Sequence, residues 1–65
     1  MQFGERLKSL RKERDLTQQD IANVLGVGRA TIAGYETKGK QPDYEKLNQL
    51  ANYFNTSVDY LLGRT

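Results

Sequence analysis

Thr17-Gln18-Gln19-Asp20-Ile21-Ala22-Asn23-Val24-Leu25-Gly26-Val27-Gly28-Arg29-Ala30-Thr31-Ile32-Ala33-Gly34-Tyr35-Glu36 is the stretch whose pattern decides the fold. Thr17 is a good N-cap, and Asp20 stands three residues on, where a capping box prefers Glu or Gln. Gln18–Leu25 follows as a short helix with Ile21, Ala22 and Leu25 on one side. Gly26 is free to take positive φ and so ends it. Gly28 caps the next helix, less well than Ser or Thr would, and that helix runs over about Arg29–Glu36 with Ile32 and Tyr35 inward. Thr31, Ile32 and Gly34 all weaken it, Gly34 alone by about 1 kcal/mol relative to Ala. A helix this short and weak persists only by packing on its neighbours.

The two helices share a seam. Ala22 lies where the first would touch the second, and its small side chain permits close approach. Val27 plugs the corner, and Ile21, Leu25 and Ile32 supply the apolar contact. Two helices meeting steeply across such a turn make a helix-turn-helix, here over about residues 17–36.

Working outward, Phe3, Leu7, Leu10 and Arg14 recur at helical spacing and predict an amphipathic helix over Phe3–Arg14, stopping near Asp15, after which Leu16 dips into the core. Its basic residues Arg6, Lys8, Lys12 and Arg14 read as a solvated face. Thr37–Pro42 is a polar loop holding Lys38, Gly39 and Lys40. Pro42 opens a fourth helix at about Asp43, reaching Tyr53 or Phe54, with Tyr44, Leu47, Leu50, Ala51 and Phe54 as its stripe. Tyr35 reads as a core ring with its hydroxyl at the edge, and Tyr44 as either core or phosphate-facing. Asn55-Thr56 is a turn. Ser57 caps a last helix, where Val58, Leu61 and Leu62 stand at i, i+3 and i+4 and Gly63 closes the end. Met1 and Arg64-Thr65 are expected to be disordered. The expected fold is all-α, a compact five-helix bundle in a single domain over residues 1–65.

Composition narrows the function. The chain has 65 residues, 10 Lys+Arg against 8 Asp+Glu, and neither His nor Cys. A domain of this size buries only about 60% of its unfolded surface, which leaves little volume for a small-molecule site. Without His or Cys the usual zinc ligand sets are missing, as are the commonest general base and the thiol nucleophile. Asp20, Asp43, Glu45 and Asp59 fall in first turns, where negative charge suits the helix dipole, so no carboxylate pair remains for acid–base chemistry. No catalytic residue, metal site or cofactor is expected. No apolar run approaches the roughly 20 residues of a membrane span. The charged start, Met1-Gln2-Phe3-Gly4-Glu5-Arg6, lacks a secretory signal's apolar stretch, which predicts a cytoplasmic protein. A net charge of +2 permits a polyanionic partner without demanding one.

The sequence resembles the phage repressor and Cro type of DNA-binding domain, the Xre-like family. The matching residues are Leu16-Thr17-Gln18-Gln19-Asp20-Ile21-Ala22, Leu25-Gly26-Val27, Thr31-Ile32 and Tyr35-Glu36, extended by Pro42 and by Ser57-Val58-Asp59-Tyr60-Leu61-Leu62-Gly63. The resemblance covers nearly the whole chain. It implies a sequence-specific regulator of transcription, prokaryotic or phage-encoded, whose helix 29–36 lies in the major groove of double-stranded DNA. It implies base reading by Arg29, Ala30 and Thr31, with Ala33 and Gly34 one turn on, and phosphate binding by Gln18, Gly28, Lys38 and Lys40. Arg29 can pair with guanine O6 and N7, and Ala30 can touch a thymine methyl. Arg11 and Glu36 match a partly buried ion pair joining the first helix to the end of the third.

The sequence departs from that pattern twice. Gly34 has no side chain where relatives often carry a base-contacting one, which shifts weight to backbone contacts and DNA shape. Gly39 comes three residues after Glu36, where relatives place glycine two after, which leaves the end of the recognition helix least defined. A homodimer on a two-fold symmetric operator is expected, with Phe54, Val58, Tyr60, Leu61 and Leu62 as its surface; the alternative is that Val58, Leu61 and Leu62 simply close the core. A second functional reading keeps the fold without DNA binding, as a protein-interaction module that docks a partner on the bare face of Gly28, Ala30, Ala33 and Gly34.

Overall fold

The computed structural model describes residues 3–64. The expectations for Met1 and Thr65 lie outside them. Five helices follow in order: α1 (Phe3–Glu13), α2 (Gln18–Leu25), α3 (Arg29–Thr37), α4 (Tyr44–Tyr53) and α5 (Val58–Leu61), with no strand among the described residues.

Local chemistry sets the helix ends. At α2 both halves of the capping box form: Thr17 Oγ1 accepts from the Asp20 amide at 3.0 Å, and Asp20 Oδ2 accepts from the Thr17 amide at 2.8 Å. Asp43 and Ser57 cap α4 and α5 by accepting from the Lys46 and Tyr60 amides at 2.9 and 3.0 Å. Asp43 is thus the cap and not the first helical residue. Pro42 stands just outside the helix, buried, with buried Leu47 at the fourth position, the arrangement of a hydrophobic staple.

Four of the five helices end alike. Asp15, Gly26, Asn55 and Gly63 adopt left-handed φ values of 56°, 69°, 56° and 76°. In each case the next amide donates back five residues: Leu16 to the Arg11 carbonyl, Val27 to Ala22, Thr56 to Ala51 and Arg64 to Asp59, at 2.8–3.0 Å. Leu16 and Val27 are thereby turned onto the core. Arg64, expected to be disordered, has its amide held in this way. Only α3 ends differently: it continues to Thr37, one residue past the expected Glu36, and the left-handed residue is Gly39 at φ 71°.

Each helix contributes one large, fully buried aliphatic residue, respectively Leu7, Ile21, Ile32, Leu50 and Leu61. Around them pack Phe3, Ala22, Tyr35 and Phe54, among others, with the Phe3 and Tyr35 rings edge to face at 5.9 Å. Two members of the expected dimer surface are corrected here. Phe54 and Leu61 are 2% and 0% exposed, because the single turn of α5 closes the bundle against α1 and α4 with Leu61 inward. Tyr44 leaves the predicted stripe of α4: it is 71% exposed, one turn before Leu47 and beyond the edge of the core.

The basic face of α1 is also more structural than its spacing suggests. Arg14 donates to the Tyr53 and Phe54 carbonyls at 3.2 and 2.9 Å, satisfying the free carbonyls at the end of α4 with a cation. Arg6 lies 4.1 Å above the Tyr60 ring. Lys8 and Lys12 remain exposed.

Gly4, which no sequence pattern singles out, fixes the approach of α1 to α3. A Cβ there would strike the Tyr35 carbonyl oxygen and lie 2.9 Å from that of Glu36. Backbone, unlike a flexible side chain, cannot step aside. Gly4→Ala is expected to lower stability by about 1–3 kcal/mol, read as a reduced midpoint in urea or thermal unfolding.

Candidate nucleic-acid interface

Ile32 and Tyr35 hold α3 against the core, so the opposite face is presented outward. Arg29, Ala30, Thr31 and Thr37 are exposed and Ala33 is half-buried. Gly28 precedes the helix with no side-chain cap, and Lys38 and Lys40 follow it, all three exposed.

Glu36, the one carboxylate of α3, points inward with its side chain 1% exposed. Arg11 meets it bidentately, Nε to Oε2 at 2.8 Å and Nη2 to Oε1 at 3.0 Å, and spends its remaining nitrogen, Nη1, on the Leu16 carbonyl at 2.9 Å. The hydrogen bond to Glu36 raises the Arg11 pKa; burial opposes the rise and the carboxylate's charge adds to it. One guanidinium therefore ties α1 to the end of α3 and to the residue that enters α2.

The bonding continues outward. Gln18 Nε2 donates to Glu36 Oε1 at 3.2 Å. A carboxylate only accepts, so the amide must turn its nitrogen inward and its oxygen outward. That oxygen accepts from Arg29 Nη1 at 3.1 Å. Arg29 stays exposed while a chain of hydrogen bonds leads from it to the interior. Sequence reasoning paired Arg11 with Glu36 through the resemblance, but it missed the Gln18–Arg29 bond. A glutamine eleven residues before an arginine carries no pattern of its own.

Gly34 is corrected. It was expected on the exposed side of α3, yet it is buried, and an added Cβ would sit 3.4 Å from Lys40 Cδ. The lysine stem thus lies at contact distance beside the position of a side chain at residue 34.

Arg11→Ala would leave the Glu36 carboxylate enclosed without its cation. A loss of about 3–5 kcal/mol is expected in denaturant unfolding, a large share of the roughly 5–15 kcal/mol typical of a domain.

Comparison with known proteins places the chain. The helix-turn-helix family matches residues 7–61. An HTH-type transcriptional regulator of Bacillus subtilis, YqaE, is 43% identical over 60 residues, 92% of this chain and 52% of that protein. The cryptic phage CTXphi transcriptional repressor RstR of Vibrio cholerae is 35% identical over 61 residues, 94% of this chain and 55% of that protein. The chain thus spans about half the length of these relatives. Among solved structures, a transcriptional regulator from Listeria innocua superposes with a TM-score of 0.93 at 44% identity, over 98% of this chain and 60% of that one. The P22 c2 repressor, solved with a synthetic operator, superposes with a TM-score of 0.90 at 29% identity, over 100% of this chain and 98% of that one. The extent of these matches and the five-helix arrangement lead to one assignment: the chain belongs to the helix-turn-helix family, within its phage-repressor and Cro-type, Xre-like branch.

Proposed function

We propose that this chain binds double-stranded DNA sequence-specifically as the reading module of a transcriptional regulator, with α3 in the major groove. The observation that carries this reading is the charge arrangement of α3: its only carboxylate is turned inward onto Arg11, while Arg29 leads the helix outward. The major groove admits a helix, and the small residues Gly28, Ala30 and Ala33 let the backbone come close. Arg29, steadied by Gln18, pairs with guanine O6 and N7; Ala30 meets a thymine methyl; Thr31 offers a hydroxyl. The Gln18 amide at the start of α2, the Gly28 amide and the Lys38 ammonium hold the phosphate backbone. The P22 c2 repressor was solved with a synthetic operator and the regulator SinR in complex with DNA, and this supports DNA as the partner.

In this reading the role is binding; Asp20 and Asp43 serve as helix caps. No helix among the described residues is long and apolar enough to cross a membrane. The protein-interaction reading gains no support, since the face it would use carries Arg29, Lys38 and Lys40 exposed. A homodimer would read half-sites about 34 Å apart. With Phe54 and Leu61 in the core, its surface falls to the half-buried Val58, Tyr60 and Leu62.

Arg29→Ala is expected to cost about 1–3 kcal/mol of binding and to relax preference at one base pair. Lys38→Ala is expected to weaken all sequences alike and to reduce the slope of log K against log salt by about 0.9. Titrations of labelled duplexes at several salt concentrations check both, and affinity indifferent to salt would refute the proposal. Sedimentation across a concentration series is expected to show a monomer–dimer equilibrium; monomer alone at high concentration would dismiss self-association.

A further inference from the structure

The outward face of α3 is bare where a probe of DNA would be expected to carry side chains. Ala30 and Gly34 lie four residues apart, one above the other on that face. Yet Gly34 is buried, and what covers it comes from the following loop: the Lys40 stem, with Cδ 3.4 Å from the place of a Gly34 Cβ. A lysine stem is apolar and settles on apolar surface while its ammonium stays in water. Gly39, left-handed at φ 71°, turns the chain immediately before Lys40. Among the described residues the ion pairs are Arg11–Glu36 and Lys46–Asp43, so no carboxylate pairs with the Lys40 ammonium.

We propose that Lys40 reads the major groove: its stem crosses bare Gly34 on the outward face of α3 and presents the ammonium to O6 and N7 of a guanine. The inference rests on α3 docking in the groove as argued above. It departs from the phosphate-binding role that the family resemblance implies for Lys40. Both guanine groups are acceptors and an ammonium offers only donors, so the match is to guanine over the other bases. Gly34 is then a specificity residue through its missing side chain, because a side chain reaching well beyond Cβ would compete with the stem for the same surface.

Selection of bound duplexes from a random pool tests this, using the wild-type chain, Lys40→Met, Lys38→Met and Gly34→Leu. Methionine keeps an unbranched stem and removes the donors. The wild-type chain is expected to enrich a guanine at one position beyond the base pair read by Arg29. Lys40→Met is expected to lose that preference by roughly 5- to 150-fold in the ratio of guanine to other bases, with the Arg29 position unchanged. Gly34→Leu is expected to lose the same preference with Lys40 still present and to melt no lower than wild type, since leucine is the better helix former. Lys38→Met is expected to lower affinity for all sequences equally. Uniform weakening by Lys40→Met, with an unchanged base profile, would overturn the proposal. So would a folded Gly34→Leu chain that keeps the guanine preference. Should Gly34→Leu fail to fold, Lys40→Met decides alone. A wild-type chain that enriches no sequence would remove the DNA reading itself, an outcome distinct from a selected site that Lys40→Met leaves unaltered.

Discussion

The Glu36 carboxylate, nearly enclosed at the end of α3, sets the terms for the rest of the molecule. A buried negative charge is tolerated only when it is paired and hydrogen-bonded. Here both requirements are met from different helices: Arg11 of α1 provides two donors and Gln18 of α2 a third. The three helices are therefore tied at one point, and none can shift without stranding a charge. Because Gln18 must turn its nitrogen to the carboxylate, its oxygen faces Arg29, so the interior fixes a group at the surface. The same inward turn removes negative charge from the face of α3 that would approach phosphates.

This tie matters because α3 is intrinsically weak. Its uncapped start, its β-branched Thr31 and Ile32, and its mid-helix Gly34 would not sustain nine residues of isolated helix. Ile32 and Tyr35 hold its middle, and Phe3 braces Tyr35. Gly4 lets the backbone of α1 come against the last turn, and Glu36 fixes that turn. The helix proposed to read DNA is thus built by its surroundings. That frees its outward residues from any duty to stabilise it, which is why they can be as small as Ala30 and Ala33.

The short connections obey a related economy. Reversing direction within three or four residues requires a left-handed residue, and the connections use Asp15, Gly26 and Asn55 for it, as Gly63 does after the last helix. Each turn delivers the next residue back onto the preceding helix through the same backbone bond. With about 60% of surface buried at this size, five short helices can share one core only if little chain is spent between them. The single longer connection, Thr37 to Asp43, is the one that carries Lys38 and Lys40 to the proposed DNA face.

The sequence by itself determined what depends on neighbours along the chain: the capping box at Thr17 and Asp20, the turn at Gly26, the helix phases of Leu7, Ile21, Ile32 and Leu50, and so the helix-turn-helix with Arg29 leading outward. Those features follow from periodicity and from backbone freedom, which a string of residues encodes directly. Tertiary structure decided what depends on distance through space. It put Phe54 and Leu61 inside, where apolar spacing alone could not choose between core and partner surface. It left Tyr44 beyond the core's edge, turned Arg14 from solvent to the end of α4, set Gly4 against a backbone, and laid Lys40 over Gly34. Helical phase tells which way a residue faces on its own helix; only the packing of five helices tells what, if anything, stands there to meet it.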